Sequence, residues 1–339
     1  EIYTLSLHDA LPILASMMPL IQALRSMGCP IRCHGQEGFL PLTVTGHTPT
    51  HKMVEIDPSD SSQFVSALLL IGPVLPQGLT LTLTDRPASR PYIDMTMTVI
   101  QNAGITTSVS ANRRVYRVGT AAAASQSAVT IERDWSAAAY VYAAAALLPN
   151  HRLRMQGLAL STSCQGDKVA AEIFSHLGVV TNEVRSPFRR DVKSITVEGT
   201  GNHDKTLEYN FIDCPDLLPP VLVTCAALGV KAKLKGVKNL SAKECDRIQV
   251  LTDELKKMGC RVSHTETEIR LSSTRLNPTK PVDVHNDHRI AMSFGVLTLI
   301  FPDLQILNPS SVTKSFPAFW KQMELIKGLK AIDDNPHNA

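Results

Sequence analysis

Glycines placed at a near-constant interval constrain this chain more than any other feature. Gly28, Gly104, Gly178, Gly259 and Gly328 each follow an apolar stretch of helical spacing and precede an extended segment, at separations of 76, 74, 81 and 69 residues. Glycine reaches the left-handed backbone that stops a helix at no steric cost, so each reads as a helix end. A second series marks helix starts near Ser61, Asp134, Pro215 and Asp287, separated by 73, 81 and 72 residues. The two series interleave. A unit of about 75 residues therefore holds two helices joined by short strands, with four units complete and a half unit before them around Met18 to Gly28. Repetition at this period excludes a single Rossmann domain. It also exceeds the usual solenoid repeat, so compact units sharing cores are expected.

Polar residues gather where these helices begin. Lys243-Glu244-Cys245-Asp246-Arg247 precedes a helix whose apolar face is Ile248, Leu251, Leu255 and Met258 and whose stop is Gly259. His285-Asn286-Asp287-His288-Arg289 precedes Ile290 to Ile300, and Lys314-Ser315-Phe316-Pro317 precedes Phe319 to Ile326. Upstream, Ser61-Ser62-Gln63 opens Phe64 to Ile71, and Ser89-Arg90-Pro91-Tyr92 precedes Asp94 to Ala103. A helix amino end carries unpaired N–H groups and the positive end of the macrodipole, which together seat an anion. Any one cluster alone would read as a solvated helix start with a few ion pairs. Five of them point to an anion-binding surface assembled from helix amino ends.

Composition narrows the function classes. A chain of 339 residues, 44% apolar, suits about two domains with buried cores. A net charge of only +3 gives no basic field, so no nucleic-acid partner is expected. The seven cysteines (Cys29, Cys33, Cys164, Cys214, Cys225, Cys245, Cys260) are odd in number and scattered through apolar segments, as reduced thiols of a cytoplasmic protein would be. Cys29, Cys33 and His34 lack a matching second pair, so no metal is expected. No phosphate-loop or dinucleotide motif is present, and no cofactor is expected. No run reaches the ~18 apolar residues of a membrane span, and residues 1–20 lack the basic start of a signal peptide.

In chain order, six segments resemble the motifs of one family. They are Ser61-Ser62-Gln63-Phe64, Ser89-Arg90-Pro91-Tyr92-Ile93-Asp94, Gln165-Gly166-Asp167, Lys243-Glu244-Cys245-Asp246-Arg247, Asn286-Asp287-His288-Arg289 and Lys314-Ser315-Phe316-Pro317. The family is the 5-enolpyruvylshikimate-3-phosphate (EPSP) synthases, the enolpyruvyl transferases of the shikimate pathway, and the resemblance runs from about Met18 to the end. Phe211-Ile212-Asp213-Cys214-Pro215-Asp216-Leu217 further resembles a variant of Bacteroidetes-like bacterial members. The resemblance implies an α/β (α+β) fold of two domains, each of three βαβαββ units around a threefold pseudo-axis, with the first domain incomplete. It implies transfer of the enolpyruvyl group of phosphoenolpyruvate (PEP) to the 5-hydroxyl of shikimate 3-phosphate with release of phosphate, on the way to chorismate and the aromatic amino acids. The partners are then small anionic substrates only, with no membrane or nucleic acid, and the protein is a cytoplasmic monomer.

Roles follow from the same resemblance. Ser61, Ser62 and Gln63 are expected to hold the phosphate and ring of shikimate 3-phosphate, with Ser89 and Tyr92 completing that pocket. Plain helix capping would also explain the two serines, and a capped amino end is equally a phosphate seat. Asp216 is expected to bind the shikimate hydroxyls and to orient or deprotonate the 5-hydroxyl, while Asn239 and Lys243 reach the 3-phosphate. Gln63, Arg247, Arg289 and Lys314 are assigned to PEP, arginine supplying a bidentate fork and lysine a point charge. Glu244 is the candidate for proton transfer at the PEP methylene. Between Lys243 and Arg247 it would ordinarily be ionised, so acting as an acid requires desolvation or PEP's own charge. Asp287 and His288 read as supports, and nothing marks Cys245 as a nucleophile.

Departures from the family pattern define the remaining expectations. The family's opening Lys-Ser-x-Ser-x-Arg loop is not found, and Met18 stands where an arginine is expected. Residues 1–13 match nothing in the family and read as a non-native leader. The first domain is then 14–131, truncated at its amino end, the second 132–330, and 331–339 a tail. The crossing between domains is expected at Ile131-Glu132-Arg133-Asp134. As written, the chain is expected to be an inactive fragment. Two other readings compete: a UDP-N-acetylglucosamine enolpyruvyl transferase, which would use a cysteine on a mobile loop, and a non-catalytic anion-binding protein on the same scaffold.

Overall fold

The computed structural model describes residues 2–5, 16–46, 49, 51–59, 61–121, 131–185, 193–241, 243–273 and 276–329, and it divides into two compact units, residues 1–130 and 131–339. In the first unit, β1 (Ile2–Leu5), α1 (Met18–Ser26), β2 (Ile31–Cys33) and β3 (Leu42–Thr45) form an antiparallel sheet of order β1-β3-β2 covered by the helix. Residues 2–5, within the segment expected to be foreign, thus pair with 42–45. The rest of residues 1–13 and the whole 331–339 tail lie outside the described residues. Next come β4 (Met53–Ile56), α2 (Ser62–Ile71), β5 (Leu79–Leu83), α3 (Arg90–Asn102), β6 (Thr107–Val109) and β7 (Val115–Val118), in a sheet of order β4-β5-β7-β6. β4 and β5 are parallel and the other pairs antiparallel. Since α2 and α3 each follow one of two parallel strands, both start at the same end of the sheet.

The second unit opens with α4 (Trp135–Leu147), β8 (Arg152–Gln156), α5 (Ala170–Ser175), β9 (Val179–Arg185) and β10 (Lys193–Gly199), its strands ordered β8-β10-β9. β11 (Thr206–Asn210), α6 (Leu218–Leu228), β12 (Lys231–Lys235), α7 (Arg247–Lys257), β13 (Arg261–His264) and β14 (Glu268–Ser273) follow. Their order β11-β12-β14-β13, with one parallel pair and two antiparallel, repeats β4–β7 strand for strand. α8 (His288–Gly295) and α9 (Phe319–Lys327) complete the helices, with a parallel bridge between Val282 and Ile306 where the repeat places strands. The last repeat therefore has both helices but, among the described residues, no closing hairpin.

Helix composition decides which helices are central. α4 and α6 are apolar on every side, and nearly all their residues are buried. They pack on each other, and α6 packs on α8, to form the centre of one large core. α7 instead buries Ile248, Leu251 and Leu255 and shows Gln249, Asp253 and Lys256 to solvent, as a helix on the outside must. Four of the five spaced glycines end their helices in the left-handed region: Gly28, Gly104, Gly178 and Gly259, at φ 93°, 82°, 81° and 89°. After three of these, the next N–H (Cys29, Ile105, Cys260) bonds the carbonyl five residues back at 3.0–3.3 Å. Gly328 differs: its φ is −79°, and its N–H makes an ordinary helical bond to the Glu324 carbonyl.

Gly199 shows how tightly α4 is enclosed. A Cβ at this position would stand 1.9 Å from the Ala145 carbonyl oxygen, and backbone cannot yield as a flexible side chain would. Gly199→Ala is expected to destabilise the second unit by about 3 kcal/mol, through overpacking. The check is the urea midpoint of unfolding. An unchanged midpoint would mean that β10 is free to move away from α4.

Candidate functional site

The sequence-predicted residues of the second unit sit where its strands give way to helix amino ends. Beyond β11, a 3-10 turn, Pro215–Leu217, carries Asp216 into the start of α6. Beyond β12, the turn Lys238–Leu240 carries Asn239, and the loop then runs through Lys243, Glu244 and Cys245 to Asp246, whose side chain caps α7 by accepting from the Gln249 N–H at 3.0 Å. Beyond Val284, His285 and Asn286 both take left-handed backbone, φ 47° and 59°. Such conformations are costly for residues with side chains, and the Asn308 amide braces Asn286 by donating to its side chain. The bend delivers Asp287 to the start of α8, where one carboxylate oxygen accepts from the Arg289 and Ile290 N–H groups at 2.8 and 3.4 Å. Lys314 ends the turn Pro309–Lys314, which packs on α8.

Arg247 is the centre of this cluster. It is 2% exposed, and its three nitrogens each reach a different carboxylate. Nε donates to Asp287 at 2.7 Å, one terminal nitrogen to Glu244 at 2.5 Å and the other to Asp216 at 3.3 Å. Asp287 is wholly buried and accepts a further weak bond from the Cys245 thiol at 3.6 Å. Arg289 pairs with the other Asp216 oxygen at 2.8 Å, and Lys314 with Glu244 at 3.4 Å. These two cations are accessible, 18% and 44% exposed, beside carboxylates that are 17% and 30% exposed, while the arginine hub stays inside. Of the sequence-predicted set, the structure brings Asp216, Glu244, Arg247, Arg289 and Lys314 together through direct contacts.

Burial works to raise the Glu244 carboxyl, but Arg247, a backbone hydrogen bond, Lys314 and His288 outweigh it and hold it at about 2. Glu244 is therefore ionised at neutral pH. His288 is pushed down to about 4 by burial, with the neighbouring Arg289 charge adding to the effect, and is neutral there. Its Nδ1 lies 3.6 Å from Glu244. Between about 4 and the ordinary 6.5 the unfolded chain takes up a proton at this histidine that the folded chain refuses, so its contribution to stability falls as pH falls through that window. Asp167, pushed up to about 6 chiefly by burial, acts in the opposite sense from about 6 down to 3.8. His288→Asn is therefore expected to gain stability relative to the unaltered chain as pH is lowered from 6.5 to 4. Urea unfolding of both proteins across that range checks this, and a difference independent of pH would contradict it.

In the first unit, Ser61 caps α2 by accepting from the Gln63 N–H at 3.2 Å, Ser62 is buried and Gln63 is exposed. Ser89 precedes α3 in a left-handed conformation, φ 53°, and Tyr92 is half-buried one turn on. These five residues occupy two helix starts at one end of the same sheet, and Thr96 and Ser66, one turn or more beyond, hydrogen-bond at 2.8 Å. Asn239 and Lys243 are half-buried on the loop into α7. Sequence reasoning gave no role to Ser136 and Asp167, which meet at 2.5 Å beside the amino end of α4. The Gln165-Gly166-Asp167 motif was their signal: the Gln165 side chain accepts from the Trp135 N–H at 2.9 Å and donates to the Arg133 carbonyl at 2.7 Å, tying the same helix end. Among the described residues, no group of three or more possible metal ligands occurs.

Residues 16–323 match the family model described as EPSP synthase (3-phosphoshikimate 1-carboxyvinyltransferase). Two relatives from Bacteroides fragilis, both named 3-phosphoshikimate 1-carboxyvinyltransferase, are 35% and 37% identical over 314 residues, covering 90% of this chain and 72% of theirs. A protein of the same name from Methanoculleus marisnigri is 33% identical, over 90% of this chain and 69% of its own. Among solved structures, an EPSP synthase from Acinetobacter baumannii superposes with a TM-score of 0.70 at 22% identity, over 95% of this chain and 73% of that one. The enolpyruvyl transferase NikO from Streptomyces tendae gives 0.68 at 15% identity, over 96% and 72%. At these identities the two structures are similar in fold.

Proposed function

The chain belongs to the EPSP synthase (3-phosphoshikimate 1-carboxyvinyltransferase) family, and from that premise we propose that it transfers the enolpyruvyl group of PEP to the 5-hydroxyl of shikimate 3-phosphate, releasing phosphate. The observation that carries the reading is the second-unit cluster, where two accessible cations, Arg289 and Lys314, stand against two carboxylates, Asp216 and Glu244, around a buried arginine. Arg289 and Lys314 take the carboxylate and phosphate of PEP. Arg247 spends three of its five N–H groups on carboxylates, which leaves two for the same ligand. Gln63 adds a contact to PEP. Ser61, Ser62, Gln63, Ser89 and Tyr92 bind shikimate 3-phosphate, as do Asp216, Asn239 and Lys243.

Asp216 accepts the proton of the 5-hydroxyl as its oxygen attacks C2 of PEP, and the methylene takes a proton delivered at Glu244. The tetrahedral adduct then expels phosphate and gives a proton back. Held at about 2, Glu244 cannot deliver a proton while Lys314 and Arg247 face it. PEP changes this by drawing Lys314 onto itself and setting its own negative charge beside Glu244, both of which raise the carboxyl's proton affinity. Fixed cations at the departing phosphate lower the barrier by preorganised electrostatics, about 3 kcal/mol for each well-placed donor.

The reading also takes the protein to be a cytoplasmic monomer. Its seven cysteines are all free thiols, and no helix among the described residues is long and apolar enough to cross a membrane. A UDP-N-acetylglucosamine enolpyruvyl transferase is not favoured, because the family description and the relatives' names specify 3-phosphoshikimate. Calorimetric titration with each acceptor tests the choice. Saturable binding is expected for shikimate 3-phosphate and none for UDP-N-acetylglucosamine; the opposite result would overturn the proposal.

A further inference from the structure

Beneath the cluster lies a polar group that the proposed reaction does not use. Tyr140, in α4, is 1% exposed, and its ring stands edge-on to Phe319 with centroids 5.9 Å apart. The hydroxyl oxygen is buried and has no hydrogen-bond partner among the described residues. α4 packs against both α6 and the turn that carries Asp216. Burial keeps the hydroxyl protonated, and the charges that act on it are Arg289, Arg247, Asp216 and Asp287, so its polar end faces the cluster. A buried O–H without a partner costs stability, and a phenylalanine of the same shape would avoid that cost.

Asp216 shows what such a donor can serve. One of its oxygens is held by Arg289 at 2.8 Å and the other by Arg247 at 3.3 Å, the longest of the Arg247 bonds. An anion arriving at Arg289 competes with Asp216 for the guanidinium. Once it wins, Asp216 keeps only the longer bond, at the step where its orientation toward the 5-hydroxyl matters.

We propose that Tyr140 is a positioning residue: its hydroxyl donates to the Asp216 carboxylate when PEP draws Arg289 away, and so holds that carboxylate in place. The inference rests on the functional reading above. In Tyr140→Phe, the free protein is expected to melt at the same temperature or higher, because the lost hydroxyl had no partner. PEP affinity measured by calorimetry is expected to fall about tenfold, the worth of one hydrogen bond to a charged group. Equal PEP affinity in the two proteins would overturn the proposal. So would weaker binding together with a lower melting temperature of the free protein, which marks a structural role. A second measurement needs no variant: adding PEP to the unaltered chain should shift tyrosine absorption to the red, as a phenol donating to a carboxylate does. Absence of that shift overturns the proposal even if the phenylalanine variant does not fold. Failure of the unaltered chain to bind PEP at all would instead overturn the functional reading, and the inference with it.

Discussion

Arg247→Met is expected to destabilise the second unit by about 3–5 kcal/mol, the usual result of removing one member of a buried ionic network. The guanidinium neutralises Asp216, Glu244 and Asp287 at once, at 3.3, 2.5 and 2.7 Å. Methionine fills much of the arginine's volume, so packing alone would change little; the cost is electrostatic. Asp287 matters most, because it is wholly buried and cannot recover its lost partner from water. Its other oxygen caps α8, so a displaced Asp287 also loosens the helix start that carries Arg289. For a unit of this size the loss corresponds to a fall of roughly 6–20 °C in melting temperature. Adding Asp287→Asn should restore part of the loss, since one unpaired charge is removed. A melting temperature unchanged by Arg247→Met would contradict the hub role.

Much of this was legible in sequence because the signals are local. The glycine interval marked the ends of α1, α3, α5 and α7, where the left-handed residue and its carbonyl partners lie within one turn. The clusters at Ser61, Asp246 and Asp287 marked helix starts for the same reason, since a capping side chain and the N–H it accepts from are two or three residues apart. Strands of three to seven residues carry too short a pattern to be placed one by one, and their pairing was visible only through the repeat.

The depth of Arg247 was not legible. It stands in a polar run at the start of an amphipathic helix, a setting that reads as solvated. What buries it is the convergence of carboxylates 31 and 40 residues away, which no local pattern records. Ser136 and Asp167 escaped for the same reason, being 31 residues apart. Tyr140 escaped because an aromatic residue in an alanine-rich apolar helix reads as core, which it is, except at its hydroxyl.

Arg289→Ala should weaken PEP binding by about 2–3 kcal/mol, the loss of a charge-assisted hydrogen-bonded pair. Three observations set that size. The guanidinium is 18% exposed, so it can meet a ligand yet is partly shielded from water. It stands two residues after the cap of α8, in the first turn, where the helix's amino end adds to the attraction for an anion. Asp216, with which it pairs at 2.8 Å, also faces Arg247, so Arg289 can be given up to a ligand without leaving that carboxylate uncompensated. The fold should survive the change, because Asp287 caps the helix through the backbone N–H of residue 289 and alanine supplies the same N–H. Shikimate 3-phosphate is assigned to other residues and should be affected far less. Calorimetric titration of the unaltered and Arg289→Ala chains with each ligand separately measures this directly. The account predicts a fall of at least tenfold in PEP affinity with shikimate 3-phosphate affinity nearly retained; equal losses for both ligands, or none for PEP, would contradict it.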